Sequence, residues 1–290
     1  MVAGSGTCSI VGNCTVNTAS GNYSFVGGGS SNTSSGNYSF VGGGKFNEAC
    51  GACSATLSGA YNLSCGCNSV ISGGCRNTIS SLYSSNTISG GYCNLSCGND
   101  NNTIGGGRCN CIPSNGNNVI GGGQCNINGG DGSFIGGGYN NCTLGIGSVL
   151  VGGCYNVSNC LQAVVVGGGC NITCGCYSFI GGGQCNIADC NFSFIGGGDC
   201  NLVCGCNAFV GGGQCNIAAC DFTGVFGFNL CNTQPCTFMS NNFVVGDFVA
   251  SGGLGCSVGI DSNGKMCLQA GGGGGGGPMV AGSGTCSIVG

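Results

Sequence analysis

The stretch Ser178 to Asn201, SFIGGGQCNIADCNFSFIGGGDCN, says SFIGGG twice, fifteen residues apart, each time followed by one residue and then Cys-Asn. The phrase recurs along nearly the whole chain. Taking the residue before the glycines as the anchor gives Val11, Val26, Val41, Leu57, Ile71, Ile88, Ile104, Ile120, Ile135, Val151, Val166, Ile180, Ile195, Val210 and Phe226, with a weaker copy at Val245. Self-similarity at a short period is the signature of stacked repeats. Each unit is too short for a helical hairpin but holds two short strands and two turns. The expected fold is therefore all-β: a parallel β-solenoid, or β-roll, of about 15 short rungs, stapled by disulfides. At a strand spacing of about 4.8 Å such a stack runs roughly 70 Å.

Composition agrees and excludes several classes. Gly is 68 of 290 residues, yet it does not fall at every third position and Pro is only 3, so a collagen helix is excluded. Charged residues are 4% and hydrophobic residues 41%, too apolar for a solvated, disordered tail. Stretches such as SFI, SVI and VVV are strand chemistry, while Gly and Asn mark turns. No apolar run approaches the ~20 residues needed to span a membrane. The formal net charge is −4, with Lys45, Arg76, Arg108 and Lys265 as the basic residues, so the basic surface needed for nucleic acid is missing.

An asparagine falls five or six residues after the anchor in copy after copy: Asn32, Asn47, Asn77, Asn94, Asn110, Asn126, Asn141, Asn156, Asn171, Asn186, Asn201 and Asn216. Asn tolerates left-handed backbone and bonds neighbouring backbone through its amide. One Asn above another can form an amide ladder along a stack, so the column reads as structural. Eleven asparagines also stand in N-x-Ser/Thr sequons: Asn13, Asn22, Asn32, Asn37, Asn62, Asn94, Asn101, Asn141, Asn156, Asn171 and Asn191. In a Ser/Thr/Asn-rich repeat many such matches arise from composition. In a eukaryotic or eukaryote-infecting source they are candidates for N-glycosylation, which makes glycans a candidate partner.

Thirty cysteines and no His point to an oxidising compartment, where cysteines act as staples. Six pairs each bracket a presumed turn: Cys93 with Cys97, Cys170 with Cys174, Cys185 with Cys190, Cys200 with Cys204, Cys215 with Cys220, and Cys231 with Cys236. Two arrangements compete. Cysteines stacked between rungs have parallel Cβ vectors held near the rung spacing, whereas a pair across a turn can point its Cβ atoms together. Pairing within a rung is the preferred expectation. Cys65-Gly-Cys67, Cys174-Gly-Cys176 and Cys204-Gly-Cys206 also spell C-x-C, a unit of thiolate-rich metal proteins. Those proteins are short, core-less and Lys-rich, unlike this chain.

Without His, acid–base chemistry would fall to Glu48, Asp100, Asp131, Asp189, Asp199, Asp221, Asp247 and Asp261, most of them scattered over different repeats. The triple glycine is no phosphate loop, because Lys45 follows Gly44 but leads into Phe46. It reads as a sharp turn that lets neighbouring backbones approach. No active site, cofactor or metal is expected.

The segment Asn17 to Gly44, NTASGNYSFVGGGSSNTSSGNYSFVGGG, resembles the head repeats of trimeric autotransporter adhesins and related repeats in phage tail and giant-virus fibre proteins. The resemblance spans roughly residues 8–246 and implies a parallel β-roll that trimerises. The chain departs from it in its cysteines and triple glycines, and in lacking a coiled-coil stalk and a membrane anchor.

Alternation along SFIG puts its Phe and its Ile on opposite faces. Val26, Val41, Ile135, Ile180 and Ile195 can fill the interior, which turns Phe25, Phe40, Phe134, Phe179 and Phe194 outward. An exposed Phe ladder marks an interface, so copies of the same chain, as a trimer or a filament, are the expected partners. Residues 279–290, MVAGSGTCSIVG, are identical to residues 1–12 and follow GGGGGGGP. Met1 thus matches an internal residue, and the chain reads as a window on a longer polypeptide or polymer with a 278-residue super-repeat (279 − 1). The organisation is solenoid repeats over 1–237, a cap or junction over 238–270 that contains the hairpin signal DSNGK, a Gly-rich linker over 271–278, and the start of a next unit over 279–290. The expected function is structural: a subunit of an extracellular fibre or appendage at a virion or cell surface. An adhesin or receptor-binding fibre is the alternative. Ice binding is disfavoured because no Thr-x-Thr array is present.

Overall fold

The computed structural model describes residues 2–12, 16–81, 85–114, 116–241, 256–260 and 266–270. The chain divides into two units, 1–241 and 242–290. The first is a parallel β-solenoid in which every described element is a strand, most of them two residues long. Strands this short carry no stability alone; they persist because each is paired above and below.

Two ladders run the length of this unit. The first begins at Ile10–Val11, continues through Phe25–Val26 and Phe40–Val41, and ends at Phe238–Ser240. The second runs from Thr18–Ala19 to Cys231–Asn232. The sheets number 17 and 15 strands. One strand of the first sheet, Val2–Ala3, pairs antiparallel with Ile10–Val11, so a hairpin covers that edge of the ladder. A third column of single parallel bridges links Ser30, Lys45 and Ala60 onward to Gln214. The first ladder takes in Phe238–Ser240, so part of the segment expected as a cap extends the stack instead.

One rung shows how the sequence makes the fold. Phe179–Ile180 lies in the first ladder with Ile180 fully buried. Gly181 to Gly183 then turn the chain, Gln184 bridges, and Cys185 adopts φ +53°. Asn186 is buried, and Ile187–Ala188 enters the second ladder with Ala188 inside. A second turn passes through Cys190 and Phe192, φ +56°, to the buried Ser193 and the next rung. Of the three glycines only the third is demanded at every rung. Gly183 has φ +86°, and a Cβ there would collide with the Gly198 carbonyl. The middle position is open at Gly28, where a Cβ would meet nothing within 4 Å.

Anchoring on the glycines misplaces four rungs. The buried residues are Thr56, Leu150, Val165 and Val225, whereas Leu57, Val151, Val166 and Phe226 stand 43%, 48%, 40% and 57% exposed. In those rungs a side chain occupies the first-glycine position, which slid the alignment by one. A one-residue slip exchanges the two faces of a strand. Correctly registered, the spacing is 15 residues from Val11 to Ile71 and again from Ile120 to Val225; only the three rungs between are longer. Their extra residues fall in the second turn, where Asn86, Asn102 and Asn118 replace the buried serine. The N–H of Asn102 donates to Asn86 Oδ1 at 2.8 Å, and that of Asn118 to Asn102 Oδ1 at 3.0 Å.

In the second unit, Cys256–Ile260 pairs antiparallel with Met266–Ala270, Ile260 opposite Met266, on either side of DSNGK. The expectations for residues 271–290, and for a covering role of the segment before them, lie outside the described residues.

Candidate functional site

Among the described residues the chemistry lies in columns that follow the stack. The Asn column is internal. Asn186 Oδ1 accepts the Asn201 N–H at 3.0 Å, and Asn186 Nδ2 donates to the carbonyls of Gly182 at 3.0 Å and Gly198 at 2.9 Å. Asn94, Asn110, Asn126, Asn141, Asn156, Asn171 and Asn201 repeat this pattern, and Asn216 continues it with Leu230. The ladder thus runs mainly from side chain to backbone, because the glycine turn leaves its carbonyls facing inward.

That burial corrects the sequon reading. Asn32, Asn62, Asn94, Asn141, Asn156 and Asn171 are buried, with Nδ2 bonded to glycine or serine carbonyls, so the folded chain offers no nitrogen there for a glycan. Asn22, Asn37, Asn101 and Asn191 are exposed, and Asn13 lies outside the described residues.

The cysteines also depart from expectation. Three disulfides form, Cys50–Cys65, Cys160–Cys176 and Cys190–Cys206, with Cα atoms 4.6, 4.8 and 4.9 Å apart. All join neighbouring rungs at the second turn. Pairing within a rung fails because Cys185 and Cys190 bracket a strand, Ile187–Ala188, rather than a turn. Extended chain of about 3.3 Å per residue holds them at opposite corners. Cys93 and Cys97 are corrected for the same reason. The strand Leu95–Ser96 separates them, both remain thiols, and Cys97 Sγ instead accepts a hydrogen bond from Ser80 Oγ of the preceding rung at 3.2 Å. Second-ladder strands likewise separate Cys170 from Cys174, Cys200 from Cys204, and Cys215 from Cys220, and all six are thiols. Cys231 and Cys236 are also unbonded to each other. Burial pushes the thiols of Cys111 and Cys142 up, so these outward second-ladder residues act as small apolar side chains.

The outer face of the first ladder carries stacked rings. Phe25 and Phe40 lie 5.3 Å apart between centroids, Phe179 and Phe194 5.2 Å. Tyr23 over Tyr38 and Tyr177 over Phe192, both pairs at 5.0 Å, line the second turn. The outer second-ladder column is aliphatic from Val157 through Ile172, Ile187 and Leu202 to Ile217. Three basic residues lie over rings: Lys45 on Phe46, Arg76 on Tyr61 and Arg108 on Tyr92.

The acids serve local backbone and side chains. Asp100 accepts the Gly116 N–H at 2.9 Å, Asp221 that of Cys206 at 2.8 Å, and Asp199 the Gln214 amide at 3.0 Å. Glu48, Asp131 and Asp189 stand exposed; Asp247 and Asp261 lie outside the described residues. Among the described residues no group of three or more His, Cys, Asp or Glu is placed to hold a metal ion, and no helix is long and apolar enough to cross a membrane. Three disulfides are the chemistry of an oxidising environment. No protein-family model matches the chain, and no curated protein matches it.

Proposed function

We propose that the protein is a structural subunit of an extracellular fibre or surface appendage, built by side-by-side association of solenoids and by head-to-tail stacking. The observation that carries the reading is the outer face of the first ladder. Phe40, Phe134, Phe194 and Phe209 stand 38 to 42% exposed in one column, where isolated apolar residues would be ordinary but a repeated column marks a contact surface. Head-to-tail growth rests on the identity of residues 279–290 with residues 1–12, and it requires the antiparallel Val2–Ala3 strand that covers this edge of the first ladder to yield to, or pair with, the neighbouring unit. A head-to-tail contact continues growth, whereas a self-complementary one would stop it.

Replacing Phe179, Phe194 and Phe209 together by Ser tests the lateral contact. The circular dichroism of the solenoid is expected to persist while the associated species in sedimentation falls to the single chain. Unchanged association would remove this face from the assembly.

A further inference from the structure

The three disulfides staple only the second turn of the rungs they join. The first turn carries a run of thiols that no pairing yet explains. Cys170, Cys185, Cys200 and Cys215 occupy one column, each at φ 53 to 55°. Their register is fixed by backbone bonds: the N–H groups of Cys185, Cys200 and Cys215 donate to Gly169, Gln184 and Asp199 of the preceding rung, each at 2.9 Å. Gly169, Gln184, Asp199 and Gln214 bridge in parallel just before them. Identical backbone conformation at identical register leaves the four Cβ atoms parallel, one rung apart.

Cys50–Cys65 shows that two cysteines one rung apart in a column accept a bond, there without the left-handed φ of the Cys170 column. Those two cysteines also sit in one column fifteen residues apart, with Cα atoms at 4.6 Å. Competing partners in the same rung, Cys174, Cys190, Cys204 and Cys220, lie across a second-ladder strand in the other turn, and Cys190 is already bonded to Cys206. Access is open, since Cys170, Cys200 and Cys215 are exposed and Cys185 half-buried.

We propose that this column is a second disulfide seam, closed by a low-molecular-weight disulfide oxidant into Cys170–Cys185 and Cys200–Cys215. A thiolate of the column attacks the oxidant, forming a mixed disulfide and releasing one small thiol. Its column neighbour, deprotonated in turn, displaces the second small thiol and forms the Sγ–Sγ bond. Each closure transfers two electrons to the oxidant, and the two protons leave with the two thiols released. With both turns stapled, Cys160–Cys176, Cys170–Cys185, Cys190–Cys206 and Cys200–Cys215 alternate between the two corners and link five successive rungs. The seam rests on the solenoid alone and stands whether or not the chain builds a fibre.

The test uses the full-length chain, exposed to oxidised glutathione, alkylated, denatured and digested with chymotrypsin. Tyr177, Phe179, Phe194 and Phe209 provide cleavage sites between the four cysteines. Cross-linked peptides joining Cys170 to Cys185 and Cys200 to Cys215 are expected. In the Cys185→Ser variant, Cys170 is expected to become alkylated while Cys200–Cys215 persists. Four alkylated thiols in the oxidised wild type would overturn the seam. So would a link from Cys170 to Cys174 or to Cys154, whose carbonyl accepts the Cys170 N–H. As a second readout, reductant should lower the thermal midpoint of the wild type by more than that of a variant with all four cysteines replaced by Ser. Equal shifts would contradict the proposal.

Discussion

Asn186 closes contacts on two rungs at once, accepting from Asn201 and donating to Gly182 and Gly198 in a dry interior. Asn186→Ala leaves the Asn201 N–H and the Gly182 carbonyl without those partners. Buried unsatisfied groups cost about 1–3 kcal/mol each, so a loss of about 3 kcal/mol is expected in denaturant unfolding. Asn186→Asp should do no better, because a carboxylate accepts but cannot donate to the glycine carbonyls. The glycines divide in the same way. Gly29 has φ +85° and faces the Gly44 carbonyl, so Gly29→Ala pays for left-handed backbone, roughly 1–2 kcal/mol, and for a collision as well. Gly28→Ala meets nothing and is expected to be neutral or to stabilise by up to about 1 kcal/mol through the unfolded chain. Thermal melts should therefore show a lowered midpoint for Gly29→Ala and no lowering for Gly28→Ala. At Cys200 the hydrogen bond to Asp199, with burial and the same carboxylate's charge behind it, pushes the thiol up to about 11. In the reduced protein its neutral form therefore dominates at neutral pH, and Asp199→Asn should lower that value and quicken alkylation of Cys200. An unchanged rate would mean the carboxylate does not govern the thiol.

The rung is the element of this fold, and its inward column decides whether it forms. Ile180 and Ile195 are fully buried and directly paired in register. Ile180→Asp or Ile195→Asp places an unpaired charge in a narrow apolar interior and is expected to abolish the β signal in circular dichroism. Wild-type stability would mean the column faces out. Much of this level was legible in the sequence, because a side chain every fifteen residues at one depth leaves a periodic trace. The slips at Leu57, Val151, Val166 and Phe226 arose from treating three glycines as equivalent, when the first position admits side chains and only the third keeps a left-handed φ in every copy from Gly29 to Gly213. The cysteine pairs misled for a related reason. The short separation of Cys93 from Cys97, or of Cys185 from Cys190, looked like a turn, but the strand between them is only two residues long and has no alternation to announce it. The Asn86, Asn102 and Asn118 ladder left no trace at the regular period, since it exists only where the second turn is longer. Bulky residues at positive φ, such as Tyr38 and Phe192, were likewise hidden. Their conformation is held by inter-rung bonds such as Tyr38 N–H to the Asn22 carbonyl at 2.8 Å, not by local preference.

At the scale of the whole molecule, the proposed assembly would use the parallel ladders along the axis, by adding rungs, and the outward Phe column sideways, by covering rings. If residues 279–290 supply a rung to a neighbouring chain, Val289→Asp should stop axial growth. The same change in the first copy, Val11→Asp, puts a charge in the inward column of the solenoid's own first rung and tests the folding of that rung instead. Electron diffraction from aligned preparations of the purified full-length protein, imaged in the same session, tests the fibre reading most directly. Continuous filaments with a repeat of about 4.8 Å along the filament axis are predicted, since the rungs stack in that direction. Discrete particles of uniform size, or filaments whose repeat of about 4.8 Å runs across the axis, would contradict it.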